Sequence, residues 1–153
     1  MSVKAYGKLF EKANKNNEEE ALDALKKAGA EAFANRNLHE LSYGERQRVY
    51  LALSIMQNSD FLLLDEPTNF LDAKSKFSLM GTLSSLAKTG KGIVSVMHDI
   101  SLAMNYCDKI IIINDEKIVA YDKPQELADA NIIENVFDVK CRIYDNEYVI
   151  SEK

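Results

Sequence analysis

From residue 41 onward the spacing of apolar and polar positions changes repeatedly, and each change marks a new element. Helical spacing predicts helices over about 43–57, 73–88 and 99–106. Short, almost wholly apolar runs between them predict strands over 61–64, 92–97 and 109–113. Short buried strands alternating with helices are the pattern of parallel βαβ units. Asn114-Asp115-Glu116-Lys117 reads as a tight turn into a strand ending near Tyr121, Pro124 opens a short helix, and Asp145-Asn146 forms the turn of a terminal hairpin over 141–151. Residues 1–40 hold no strand pattern. Their best segment is a helix from Asn17 to about Ala34, with Asn17 as its cap, Glu20 at the third helical position, and Ala21, Leu22, Leu25, Ala28 and Phe33 on one buried face. Lys4, Lys8 and Lys12 recur every four residues, a solvated face of an earlier helix or a surface for an acidic partner.

Composition narrows the class without naming a function. With 153 residues, 46% of them hydrophobic, the chain can build one core, or one core and a small helical satellite. No apolar run approaches the ~20 residues of a membrane span, and Met1-Ser2-Val3-Lys4 lacks the layout of a signal peptide, so the chain is expected not to cross a bilayer. Cys107 and Cys141 have neither metal-ligand nor disulfide-framework spacing, which fits a reduced cytosolic setting. A net charge of −5 argues against a nonspecific nucleic-acid binder.

Three clusters carry candidate chemistry. Ser42-Tyr43-Gly44-Glu45 satisfies S-x-x-E, a capping box at a helix start. The same geometry offers N–H groups and a favourable dipole to a phosphate, and Gly44 lets that phosphate come close to the backbone. Arg46-Gln47-Arg48 follows at once. The apolar run from Phe61 to Leu64 ends in Asp65-Glu66, two carboxylates at the carboxyl end of a strand, where α/β folds place ligand chemistry. Asp65 is the candidate Mg²⁺ carboxylate, and Glu66 the candidate general base that polarises an attacking water. Pro67-Thr68-Asn69-Phe70-Leu71-Asp72 continues that motif. His98 follows a strand and precedes Asp99; His39, just before the first cluster, has no comparable support.

In this order, L-S-x-G-E, the Asp65-Glu66 pair, the Asn69-Phe70-Leu71-Asp72 loop and His98, the sequence resembles the nucleotide-binding domains of ABC transporters over essentially its whole length. The resemblance implies an α/β fold of the P-loop NTPase type: a partial core with a mostly parallel sheet over 58–153, preceded by a small helical subdomain over 1–57 that carries the signature motif and its helix. It also implies two such domains facing head to tail around ATP. Asp65 is then the magnesium-side carboxylate, Glu66 the catalytic base and His98 the switch residue at the γ-phosphate. Asp72 belongs to the loop crossing the dimer interface, and Ser42, Gly44 and Glu45 form the signature that meets ATP held by the partner subunit. A membrane permease would dock on the helical subdomain, placing the protein in the cytoplasm, peripheral on the inner face of the cell membrane.

The sequence departs from the family pattern in two ways. Tyr43 replaces the glycine usual at the middle of the signature, bringing a bulky ring near the partner's nucleotide. The phosphate-cradling loop G-x-x-x-x-G-K-[ST], the adenine-stacking aromatic and the glutamine loop are absent from the sequence, so the chain is expected to be a carboxyl-terminal fragment or split product whose binding of ATP and Mg²⁺ needs the missing P-loop half. The segments Met97 to Ala103, Tyr106-Cys107-Asp108, Lys117 to Ala120 and Pro124 to Leu127 look like the ATPases of iron-siderophore, heme and cobalamin importers, with Asp122 where those carry glycine. Rival readings are a non-transport ABC ATPase and a non-enzymatic interaction module. The first has little support, because SMC-type heptads are absent and 153 residues cannot hold a second cassette.

Overall fold

A computed structural model describes residues 15–153, with side chains from Glu18 onward, so the Lys4, Lys8 and Lys12 face lies outside the described residues. These residues fall into two compact units that part after Val96. In the first unit, helix α1 (Lys15–Lys27) packs on helix α2 (Tyr43–Met56). Asn17 lies inside α1, not at its start, because the backbone before it is already helical. The helix also ends earlier than its apolar spacing implies. Gly29 takes φ +65, and the Gly29 N–H and Ala30 N–H donate back to Lys26 and Leu25, a Schellman closure that needs a residue at ease in left-handed backbone. Phe33 therefore falls in a 3₁₀ turn, Glu31–Phe33. Buried Ala24, Ala28, Leu41, Val49, Ala52 and Ile55 form the helical core.

Strand β1 (Phe61–Asp65), helix α3 (Ala73–Lys88) and strand β2 (Gly92–Val96) follow as one βαβ unit. The strands pair in parallel, Phe61 with Gly92 through Asp65 with Val96. Helix α3 packs on β2 and contributes buried Leu79, Met80, Leu83 and Leu86, while Leu62 is buried from the sheet. The other sheet face is open: Phe61 is 67% exposed, Leu63 78%, and Val94 and Val96 are exposed as well. The expected burial of these strands is thus met on one face only, since no described element of the first unit covers the other. Phe61 also lies across its partner strand, where a Cβ on Gly92 would stand 2.5 Å from its ring.

The second unit, Met97–Lys153, is a separate core. Helix α4 (Ile100–Tyr106) leads to hairpin β3 (Ile110–Asn114) and β4 (Lys117–Asp122), then helices α5 (Pro124–Asp129) and α6 (Ile132–Phe137), and hairpin β5 (Val139–Tyr144) and β6 (Glu147–Glu152). Met104, Ile112, Leu127 and Ile133 form its centre, with Val136, Cys141, Tyr148 and Ile150 packed around them. Asn105 anchors β6 like a backbone peptide: its amide donates to the Tyr148 carbonyl at 2.9 Å and its oxygen accepts from the Tyr148 N–H at 2.8 Å. Helix α6 has no counterpart in the sequence reading, because six residues are too few to show a period. Its limits are set by Asn131 and Asp138, both in left-handed backbone. Both cysteines are free thiols, with burial raising the pKa of each; nearby Asp108 adds to this at Cys107 and Glu134 at Cys141.

Parallel pairing among the described residues is confined to β1 and β2, whereas the other strands form two antiparallel hairpins. A mostly parallel sheet thus reduces here to one parallel pair. Strand β3 follows a helix, as a βαβ strand should, but a two-residue turn at Asp115 and Glu116, both with positive φ, lets it pair with its sequence neighbour instead.

Gly92→Ala is expected to destabilise the chain by about 1 kcal/mol, at the low end for overpacking because the Phe61 ring can swing into solvent. The penalty should vanish when Phe61→Ala is combined with it. Urea midpoints of the single and double variants check both statements.

Candidate functional site

Ser42 begins α2 as its cap and realises the capping box. Its N–H donates to Glu45 Oε2 at 2.7 Å, and its Oγ accepts from the Glu45 N–H at 3.4 Å. The carboxylate bond is short and charge-assisted and the hydroxyl bond long, so Glu45 contributes more to this turn than Ser42. Glu45 also meets Arg36 Nη1 at 3.5 Å. Its carboxyl is held below the ordinary range, first by the bond from the Ser42 backbone, then by that from the Ser42 side chain, and last by the Arg36 charge. Arg46 Nη1 donates to the Leu41 carbonyl at 3.0 Å, which ties the residue before the cap to the helix after it. Glu45 therefore serves first to set the geometry of the turn that presents Ser42, Tyr43 and Gly44.

Asp65 ends β1 and is exposed. At Glu66 the chain leaves the sheet in left-handed backbone, φ 44, while the Glu66 N–H still donates to the Val96 carbonyl at 3.1 Å. The Glu66 carboxylate accepts from Asn69 Nδ2, and the Asn69 N–H donates to the Glu66 carbonyl at 3.1 Å, so Asn69 holds Glu66 by both side chain and main chain. Thr68 is buried, 3% exposed, and its carbonyl accepts from the Leu71 N–H. Asp72 then caps α3: Oδ1 accepts from the Ser75 N–H and Oδ2 from Ser75 Oγ, each at 2.9 Å. These bonds, the backbone one first, hold its carboxyl below the ordinary range.

The signature turn and this loop meet within the first unit. A Cβ on Gly44 would lie 2.9 Å from Leu71 Cδ2, and the Tyr43 and Phe70 rings are 5.5 Å apart. His98 belongs to the second unit, exposed, directly before Asp99, whose Oδ1 accepts from the Leu102 N–H at 3.1 Å to cap α4. His39 sits exposed in a 3₁₀ turn. The sequence reading missed the part of Asn69; an asparagine three residues beyond a strand-ending carboxylate was the available signal. It also missed Arg36 as the partner of Glu45.

Asp65 and Glu66 carry the carboxylate oxygens that hard cations take as ligands. Asp65 and Glu66 offer adjacent carboxylates at a strand end, and among the described residues no group of three or more His, Cys, Asp or Glu side chains forms a complete cage. Mg²⁺ at nucleotide sites needs no such cage, only one or two carboxylates with phosphate oxygens supplying the rest.

Because the caps are carboxylates with lowered pKa values, their contribution is fully present above the ordinary carboxylate range and is lost as pH falls through the lowered values, below about pH 4. Helical circular dichroism and urea midpoints followed from pH 7 to pH 2.5 should decline in that window, and Glu45→Gln with Asp72→Asn should flatten the decline. Ser42→Ala should cost about 0.5–1 kcal/mol at neutral pH, the low end for a cap, given its long bond.

Comparison with known proteins is consistent across sequence and fold. The profile described as ABC transporter matches residues 3–69. The petrobactin import ATP-binding protein FpuD of Bacillus anthracis is 39% identical over 131 residues, 85% of this chain and 48% of that protein. The probable siderophore transport system ATP-binding protein YusV of Bacillus subtilis is 34% identical over 139 residues, 90% of this chain and 50% of that protein. Among solved structures, the dimeric cassette MJ0796, a bacterial ABC transporter cassette, superposes with a TM-score of 0.62 at 36% identity, covering 69% of this chain and 46% of that one. The chain spans about half the length of the curated relatives it matches. With this turn seated on the loop beyond a strand-ending carboxylate pair, the chain matches the ATP-binding proteins of ABC transporters in sequence and fold over about half of their length.

Proposed function

We propose that this chain forms the signature and Walker B part of an ATP-hydrolysing subunit that powers import of a metal chelate, of the iron-siderophore type, through a membrane permease. The observation that carries this reading is the seating of the α2 cap on the loop that leaves Glu66, two motifs whose chemistry is phosphate recognition and water activation. Asp65 would hold Mg²⁺, which when bound neutralises charge on the phosphates. Glu66, kept in place by Asn69, would orient and deprotonate the attacking water. His98 would reach the γ-phosphate. Ser42 and Gly44 would meet the γ-phosphate held by a second, head-to-tail subunit, with Glu45 setting their turn. Asp72 would stand at the dimer interface, its cap on α3 fixing where the interface loop ends.

The same reading assigns residues 1–57 to a helical subdomain that docks on the permease and 58–153 to the ATPase core, working on the cytoplasmic face of the membrane. None of the described helices is long and apolar enough to cross a membrane. It also requires a partner carrying the phosphate-cradling loop. Support for that partner comes from the open apolar faces: Phe61, Leu63, Val94 and Val96 on one sheet, and Ile111, Ile113, Ile118 and Tyr121 on the β3–β4 hairpin. Faces of this kind are where a further layer of an α/β fold would be buried.

The isolated chain is expected to hydrolyse no ATP, because positioning of the phosphates supplies most of phosphoryl-transfer catalysis. Joined with a half that carries the phosphate-cradling loop, it should show magnesium-dependent hydrolysis. In that combination Glu66→Gln should bind ATP normally and lower kcat by at least about 100-fold, the scale of general-base catalysis. Steady-state phosphate release and nucleotide binding measure the two effects. Hydrolysis indifferent to Glu66→Gln, or hydrolysis by the chain alone that Glu66→Ala abolishes, would refute the reading.

A further inference from the structure

Two consecutive residues of the α2 turn meet two consecutive residues of the loop: Tyr43 with Phe70, and Gly44 with Leu71. The ring contact is edge to face, with centroids 5.5 Å apart and planes at 79°, an arrangement the aromatic quadrupole favours. Phe70 is the unexpected member. Its φ of 59 lies in left-handed backbone, which bulky residues rarely adopt and keep only where the surroundings over-determine it. Burial does not hold it there, since Phe70 is 87% exposed.

What holds it is visible on both sides. Within the loop, the Leu71 N–H bonds to Thr68, Asn69 bonds to Glu66, and Asp72 is locked as the cap of α3. From outside, the Tyr43 ring bears on Phe70, and Tyr43 is itself set by Gln47 Nε2, which donates to its hydroxyl at 3.0 Å from one helical turn further on. Tyr43 is only 41% exposed despite standing at the tip of a helix. An unbroken series of contacts thus runs from Gln47 through Tyr43 and Phe70 into the loop that Asn69 ties to Glu66.

We propose that Tyr43 is a positioning residue: its ring, packed on Phe70, couples the first turn of α2 to the loop of residues 66–72 and so fixes the backbone from which Glu66 projects. Glycine at this place could make no such contact, so the ring gives the signature turn a grip on its own loop. The catalytic meaning of the coupling rests on the role proposed for Glu66. The coupling itself is a property of this chain without nucleotide or partner.

Amide hydrogen exchange by NMR on the full chain tests it. Tyr43→Ala and Phe70→Ala should each speed exchange at the Asn69 and Leu71 amides by about 3- to 10-fold, the range of one aromatic pair. The double variant should go no further than the faster single one, because both remove the same contact. Tyr43→Phe keeps the ring and should restore the original rates within about twofold. Amides of Leu51 and Ile55 within α2 should be unaffected, which separates loop release from unfolding of the helix. Unchanged rates at Asn69 and Leu71 in Tyr43→Ala, or single effects that multiply in the double variant, would overturn the proposal. The rates are read without ATP, so an inactive reconstituted cassette would count against the role of Glu66 and leave this coupling standing.

Discussion

The hydrogen bond from the Glu66 N–H to the Val96 carbonyl registers the start of the loop of residues 66–72 to the parallel strand pair. It extends the parallel ladder of β1 and β2 one residue beyond the strand, so the chain stays registered to the sheet even as φ at Glu66 turns positive. The loop therefore starts from a rigid edge. Without that bond the turn would begin from a strand end held only by the ladder before it, and the Asn69 contact would act on a looser Glu66. Parallel pairing in turn depends on α3, whose buried leucines and methionine cover one face of the sheet.

Short-range hydrogen bonds then do what packing usually does. Residues 42–45 and 66–75 are shaped by caps and side-chain turns: Ser42 with Glu45, Glu66 with Asn69, Asp72 with Ser75. Such bonds reach only three residues, so each fixes a local backbone and none can by itself join one turn to another. Joining is left to side chains without hydrogen bonds between them, Leu71 against Gly44 and Phe70 against Tyr43. The division is physically sensible for the phosphate-facing site proposed above. Polar groups near the ligand are already oriented by their own neighbours, and apolar contacts behind them keep the two turns in step.

The two units differ in how far their apolar faces are covered. In the second, Met104, Ile112, Leu127 and Ile133 close a small core under both hairpins. In the first, the sheet is covered on one side only, and Leu63 on its bare side is among the most exposed large apolar residues described. A two-stranded sheet with one apolar face in water gains little from folding alone. It agrees with a chain that spans about half the length of its relatives.

Much of this was legible in the residues themselves. Apolar spacing located α2, α3 and β1 to within a residue or two, because helix and strand periods are local properties. S-x-x-E announced the capping box at Ser42, and the Asp-Glu and Asp-Asn pairs announced the hairpin turns, since these too are settled within four residues. The limit of α1 was not, although Gly29 could have marked it, because apolar spacing runs past the glycine to Phe33. Helix α6 escaped for want of length. What only the tertiary structure decided were pairings across sequence distance: which strands are parallel, which sheet face stays bare, that Arg36 meets Glu45, and that Tyr43 finds Phe70 twenty-seven residues away. No local period encodes these. They depend on where the sheet edge puts the loop, and a composition of apolar strand residues reads the same whether one face is covered or both.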